Sequence, residues 1–148
     1  SDLRRQRQMC IRDRKYALAK FYIIDFALKG AKDPVHEFIK RFKKNTSFKV
    51  IVNDIKKIRR LNSKFHPITI KKLGMACSYP GTFNSSIYTI INSRNYKEAI
   101  LKTIKAGGCN CSRANFTGAY FAALKGLNSI PNSWIKKTIP AKKILSQK

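Results

Sequence analysis

Helical spacing of the apolar residues is the feature that most restricts how this chain can fold. In most segments these residues recur three or four positions apart, which places them on one face of a helix. The clearest such face is formed by Phe48, Ile51, Val52, Ile55 and Ile58. Strand-like alternation is nearly absent, although residues 67–72 are ambiguous, and no internal repeat is visible. The pattern predicts a single all-α domain.

Local capping signals mark the starts of several helices. Residues 16–28 are apolar almost all round, which predicts a buried helix. Asp33 before Pro34 is typical of a helix start, because the carboxylate accepts main-chain N–H groups and proline suits the first turn. Asn95 with Glu98 three residues later predicts a capping box.

The remaining boundaries are set by weaker signals. Thr46 or Ser47 is expected to cap the next helix, and residues 62–67 are expected to form a loop. A further helix is predicted to end near Ile91, and a last short helix is predicted over residues 131–137.

The beginning of the chain differs from the rest. Residues 1–14 contain five of the ten arginines, whereas lysine dominates afterwards. They show neither hydrophobic periodicity nor the apolar core of a signal peptide. We interpret this segment as a non-native or artefactual basic leader, with a basic nucleic-acid-binding arm as the alternative. The domain is then expected to comprise residues 15–148.

Charge and composition limit the class of protein. Lys and Arg number 32 against 7 Asp and Glu, so the net charge is +25, which favours anionic partners. A solvated lysine surface without any function is the competing interpretation. Four cysteines are too few for a small disulfide scaffold, and no apolar run suits a membrane helix. We expect a cytoplasmic protein that does not contact membranes.

The most informative segment reads Gly-Gly-Cys-Asn-Cys-Ser-Arg and begins at Gly107. Its two glycines, Gly107 and Gly108, allow a tight turn and the close approach of a ligand. The start of the following helix offers N–H groups and a positive dipole end to a phosphate. Asn110, Ser112 and Arg113 can add polar contacts. A simple inter-helix turn, with Ser112 as cap and Arg113 covering a helix end, is the alternative.

Residues 74–138 resemble the C-terminal part of the ADP-ribosylglycohydrolase family, most closely its branch related to the J-type lens crystallins. Three features carry the resemblance: the double glycine with its polar cluster, the small-residue helix over 114–126, and the following Ile130-Pro131 and Trp134. The resemblance implies a compact orthogonal helical domain whose cleft binds ADP-ribose or an ADP-ribosylated substrate. Family hydrolases hold two magnesium ions there, which help to position the attacking water.

The resemblance also implies roles for individual residues. The candidate ligand-binding residues are Gly107, Gly108, Cys109, Asn110, Cys111, Ser112, Arg113, Ser78 and Tyr79. In the family, the loop that holds Ser78 and Tyr79 precedes a helix lining the cleft, where the tyrosine ring can stack on a base or ribose. A structural turn with Tyr79 packed on the domain is the alternative.

The chain departs from the family at the metal site. The usual motif, Gly-Gly-Asp-x-Asp-Thr/Ser, has metal-binding aspartates where this chain has Cys109 and Cys111, with Ser112 at the hydroxyl position. Sulfur is a poor ligand for magnesium, so the motif argues against that ion. A zinc site, completed by His66 or Cys77, is a weaker alternative, because zinc sites more often use cysteine pairs two residues apart. The default expectation is unreactive buried thiols and a surface histidine.

The second acidic metal motif of the family, which lies near its N-terminus, has no counterpart here. The resemblance therefore implies the C-terminal part of a fold, with the N-terminal half as a candidate partner. Asp25 lies in an apolar helix and is a candidate buried carboxylate. A paired or peripheral carboxylate is the alternative.

Three functions from different classes remain open. The first is a family protein that binds ADP-ribose, with weak or absent hydrolysis of ADP-ribosyl bonds. The second is a non-catalytic, crystallin-like structural protein. The third is a basic nucleic-acid-binding domain, which only the charge supports. Binding that disappears with added salt would instead indicate nonspecific anion binding.

Overall fold

Nine α-helices and no strand make up the regular structure of the described residues. The computed structural model describes residues 2–61 and 66–146, with side chains from Ile11 onward except at position 142. The helices are α1 (Asp2–Leu28), α2 (Pro34–Phe42), α3 (Lys49–Arg59), α4 (His66–Leu73), α5 (Gly81–Ile91), α6 (Tyr96–Lys105), α7 (Asn110–Lys125), α8 (Asn132–Lys137) and α9 (Ala141–Leu145). Short 3-10 turns at Thr46–Phe48 and Leu127–Ser129 precede α3 and follow α7. The predicted all-α fold is confirmed.

Two predicted helix starts are confirmed in atomic detail. At the start of α2 the Asp33 carboxylate accepts the His36 N–H at 2.9 Å, and Pro34 occupies the first turn. At the start of α6 the Asn95 side chain accepts the Glu98 N–H at 2.9 Å. Glu98 reaches back to accept the Arg94 N–H at 2.9 Å, which completes the reciprocal cap.

Several predicted boundaries are wrong. Asn45, rather than Thr46 or Ser47, caps the turn before α3, by accepting the Ser47 N–H at 2.9 Å. The predicted loop over 62–67 ends too late, because α4 begins at His66 and proline is tolerated in a first helical turn. Residues 62–65 lie outside the described residues. Helix α9 was not predicted.

Helix α1 begins at Asp2, well before the predicted start at residue 16. Residues 2–14 therefore extend the helix, although they lack an apolar period. Their interpretation as a non-native leader concerns their origin and stays a prediction. In the described part of the chain, no helix is both long and apolar enough to cross a bilayer.

The core lies where α1, α5 and α7 meet. Ile23 of α1, Phe83 and Ile87 of α5, and Phe116 of α7 are almost fully buried. The Phe83 and Phe116 rings stack with centroids 5.9 Å apart. Apolar burial of this kind supplies most of the favourable free energy of folding.

Close approach of α6 to α7 depends on a small residue. A Cβ on Gly118 would lie 3.4 Å from the Tyr96 hydroxyl and 3.5 Å from Ile100 Cδ1. The small-residue stripe predicted for α7 thus makes room for the side chains of α6. This packing fixes α7, whose first turn carries the candidate site.

Candidate functional site

The turn before α7 is built from two left-handed glycines. Gly107 and Gly108 have φ values of 73° and 70°, a region that side chains other than glycine rarely adopt. A Cβ on Gly108 would also lie 2.7 Å from the Met75 carbonyl oxygen. Backbone conformation and space therefore both require glycine at position 108.

Arg113 fastens this turn to the segment that follows α4. Its side chain is only 1% exposed. The guanidinium donates to the Met75 carbonyl at 3.1 Å, to the Asn110 side chain at 2.9 Å and to the Gly107 carbonyl. Burial lowers the pKa of this guanidinium, and the nearby Cys109 sulfur opposes the shift. Two of its three nitrogens, Nη1 and Nη2, are thus bonded to neutral oxygens of the same chain, whereas the buried Nε has no hydrogen-bond partner among the described residues.

Main-chain hydrogen bonds also stabilise the turn before α7 and its contact with the segment that follows α4. The Cys109 N–H donates to the Met75 carbonyl at 2.8 Å, and the Asn110 N–H donates to the Gly108 carbonyl at 2.8 Å. Cys109, rather than Ser112, occupies the N-cap position of α7. Several groups predicted to meet a ligand therefore bond within the protein.

The Cys109 thiol lies in a polar surrounding. Its sulfur is 3.2 Å from the Ser112 hydroxyl oxygen. Hydrogen bonding from the Ser112 hydroxyl, then from the Ser112 main chain, lowers the pKa of this thiol, with smaller contributions from Cys77 and Arg113. Cys77 and Cys111 are exposed, and all three thiols are free. The expectation that these thiols are buried is wrong, and the expectation that they are unreactive stays a prediction.

The donor atoms do not fit magnesium. The residues predicted to stand at the metal-binding positions offer two thiols, from Cys109 and Cys111, and the Ser112 hydroxyl, whereas magnesium prefers oxygen ligands. Among the residues with described side chains, no three His, Cys, Asp or Glu side chains converge in a way that could hold a metal ion. The two thiols and one hydroxyl also fall short of the four ligands that a structural zinc site uses.

Tyr79 packs against the protein. Its ring stacks on Tyr16 with centroids 5.0 Å apart and planes 6° apart, and the Lys20 ammonium lies 5.0 Å from its centroid. Ser78 is exposed, and its carbonyl accepts the Thr82 N–H at 3.1 Å. These contacts favour the packed alternative for Tyr79, and a ligand role for either residue stays a prediction.

His66 is not the predicted surface histidine. It lies at the start of α4, with Nε2 2.9 Å from the Thr89 hydroxyl oxygen and its ring 5.4 Å from that of Tyr88. Burial, followed by the charges of Lys102 and Arg113, lowers its pKa to about 4. His66 is therefore neutral at physiological pH. Its partners are remote in sequence, so no local signal could have found them.

The acidic side chains serve local structure. Asp25 pairs with Lys29 at 2.7 Å on the surface, as its paired alternative predicted. Asp33 caps α2 and pairs with Arg59, and Glu98 caps α6 and pairs with a lysine of the same helix.

Comparisons with known proteins agree with this architecture. The family model described as ADP-ribosylglycohydrolase matches residues 10–146. Crystallin J1A of Tripedalia cystophora is 38% identical over 69 residues, which cover 47% of this chain and 21% of that protein. Crystallin J1B of the same organism is 30% identical over 76 residues, which cover 51% of this chain and 24% of that protein.

The alignments thus span about a fifth to a quarter of the length of these two relatives. No solved structure matches the chain. The family model covers most of the sequence, and the resemblance to the crystallin branch is confirmed. The chain belongs to the ADP-ribosylglycohydrolase family.

Proposed function

We propose that this chain is a non-catalytic, crystallin-like member of its family. In this proposal the segment from Gly107 to Arg113 stabilises the fold and does not hold magnesium for hydrolysis. The observation that carries the proposal is the Arg113 guanidinium, which is buried and bonded to oxygens of its own chain. A cation used in this way is not available to a ligand phosphate.

The donor chemistry supports the same conclusion. Hydrolysis in this family depends on magnesium, and here Cys109 and Cys111 stand at the two acidic positions. The proposal therefore predicts no magnesium-dependent release of ADP-ribose.

Binding of ADP-ribose without metal is a second candidate. It is favoured by the left-handed turn at Gly107 and Gly108, which leads into the 16-residue helix α7 with no acidic residue in its first turn. A helix start of this kind suits a diphosphate, and the net charge of +25 would attract one.

The test is a hydrolysis assay, in which mass spectrometry monitors the release of ADP-ribose from a peptide that carries it on arginine or on serine. The full chain is assayed with and without magnesium, and circular dichroism verifies its helical fold. We expect no release above the rate without protein. Magnesium-dependent release by the folded chain would overturn the proposal.

A Cys109→Ser, Cys111→Ser variant is the matched control. It removes both thiols without adding carboxylates, so it is expected to remain inactive. Appearance of activity in this variant would show that sulfur blocks an otherwise working site, which contradicts the proposed structural role.

A further inference from the structure

An apolar groove lies at the C-terminal end of the described chain. It has a volume of about 290 Å³ and lies between the start of α6, the turn after α7 and the short helices α8 and α9. Its apolar walls include Leu127, Ile135 and Ile144. None of the described residues that line it belongs to the segment from Gly107 to Arg113, so the groove is separate from the turn before α7.

Local contacts hold the wall that α8 contributes. The half-buried Trp134 ring packs edge-on against Tyr96 at the start of α6, with ring centroids 6.2 Å apart. The Trp134 N–H donates to the Pro131 carbonyl at 2.9 Å, and the Thr138 hydroxyl donates to the Trp134 carbonyl at 2.8 Å. Because these contacts fix the indole as one wall of the groove, binding needs little rearrangement of this wall.

Several apolar side chains of this region are exposed to solvent. Leu127 and Ile144, which line the groove, are 45% and 63% exposed, and Ile139, between α8 and α9, is 96% exposed. A cluster of exposed apolar side chains with charged neighbours is typical of a site where another molecule binds. A partner that covered the groove would remove these side chains from water, which favours binding.

The segment that forms most of the groove carries only positive side-chain charge. Glu98 is the last acidic residue in the sequence, so residues 99–148 contain no Asp or Glu. Lys136 and Lys137 directly follow a residue that lines the groove, Lys143 directly precedes another, and all three lysines are exposed. A second copy of this chain would bring the same lysines to the groove and be repelled, whereas an acidic partner would be attracted.

The shape of the groove favours a helix over a membrane. A concave groove accepts apolar side chains that project from one face of a partner helix, three or four residues apart, whereas a flat bilayer surface cannot enter it. We propose that this groove binds an acidic amphipathic helix of a partner protein. The apolar side chains of that helix enter the groove, and its carboxylates pair with Lys136, Lys137 and Lys143.

Trp134 provides a direct measure of binding, because it lines the groove and is the single tryptophan of the chain. The probe is a synthetic peptide of about 15 residues, with leucines three or four positions apart and glutamates on the remaining face. It is titrated into the folded full chain at moderate salt while tryptophan emission is recorded. We expect saturable binding and a shift of the emission to shorter wavelength, because the peptide removes the indole from water.

One pair of variants tests the apolar contact. Ile144→Ser is expected to weaken binding of the peptide about tenfold, because an apolar side chain is lost from the groove. Ile68→Ser, on α4, is the matched control at a similarly exposed isoleucine and is expected to leave binding unchanged. Circular dichroism verifies that both variants keep the helical fold.

A second pair of variants tests the charge. Replacing both Lys136 and Lys137 by glutamate is expected to weaken binding about tenfold or more, because like charges then face the peptide. The same replacement at Lys56 and Lys57, exposed on α3, changes the net charge equally and is expected to have little effect. Equal weakening by the two double variants would show that only net charge attracts the peptide, which contradicts the proposal.

Three other results would also overturn the proposal. One is absence of binding, or equal binding of a peptide of the same composition whose leucines are scattered round the helix. Another is an emission shift with vesicles of phosphatidylcholine and phosphatidylserine but none with the peptide, which would assign the groove to a membrane surface. The third is a dimer in sedimentation experiments that Ile144→Ser dissociates and the peptide does not, which would assign the groove to a second copy of the chain.

Discussion

Replacement of Arg113 by methionine tests whether the buried guanidinium holds the site together. Methionine is of similar length and keeps most of the packing, but it cannot donate hydrogen bonds. The substitution removes the donors to Met75, Gly107 and Asn110. We expect Arg113→Met to lower the free energy of unfolding substantially, without loss of the helical fold.

The size of the effect follows from the acceptors that remain. The Met75 carbonyl keeps the Cys109 N–H at 2.8 Å, so it stays satisfied. The Gly107 carbonyl and the Asn110 side-chain oxygen lose the donor that Arg113 supplied, which costs about 1–3 kcal/mol for each acceptor that stays buried. Removing the buried guanidinium also removes the desolvation penalty of its charge, which offsets part of this loss of stability. We expect a net loss of about 2–3 kcal/mol.

The assay is urea unfolding followed by circular dichroism, with the slopes of the transitions compared to verify two-state behaviour. Arg113→Lys keeps the charge but not the planar fork, so it is expected to lose about 1–2 kcal/mol. Arg60→Met, at an exposed position, is the matched control and is expected to change stability by less than about 0.5 kcal/mol. An Arg113→Met variant as stable as the control would refute the reasoning.

Three further predictions concern single positions. Gly108→Ala is expected to lower the free energy of unfolding in urea by about 2–4 kcal/mol, because the new side chain clashes with Met75 and strains a left-handed backbone. Gly30→Ala, which has open space around it, is expected to lower it by only about 1 kcal/mol, and equal losses would contradict this reasoning. Asn95→Ala is expected to lose about 1 kcal/mol as the cap of α6 is removed, and no change in the urea midpoint would count against the cap. The His66 pKa is about 4 in the folded chain and 6.5 when unperturbed, so the unfolded chain binds a proton more readily than the folded one. The stability that depends on neutral His66 is therefore complete above pH 6.5 and is lost as the pH falls toward 4. Between pH 7 and pH 5 we expect a loss of about 1 kcal/mol, after allowance for solvent screening of the half-buried ring. The His66→Gln variant is expected to lack this pH-dependent loss, and an unchanged pH dependence in that variant would argue against a neutral His66.

Local signals predicted the parts of the fold that local interactions determine. The caps at Asp33 and Asn95 are made within three residues of the side chain concerned, so the sequence pattern was sufficient. The start of α4 was missed because Pro67 suits a loop as well as a first helical turn.

Long-range contacts account for what was missed at the site. The sequence alone predicts a phosphate or a helix end as the partner of Arg113, because Met75, to which it bonds, lies far away in the sequence. The same holds for His66 with its partner Thr89. The tight turn predicted at Gly107 and Gly108 is present, but its packing against Met75 depends on a residue far away in the sequence, which the local pattern does not reveal.

Calorimetric titration of ADP-ribose into the folded full chain, with and without magnesium, tests the central claim most directly. The titrations are repeated at low and moderate salt, because attraction to a net charge of +25 weakens as salt is added. We expect magnesium to leave the affinity of the chain for ADP-ribose unchanged, since the thiols of Cys109 and Cys111 are poor ligands for this ion. Saturable binding that strengthens with magnesium and survives moderate salt would contradict the proposed non-catalytic role.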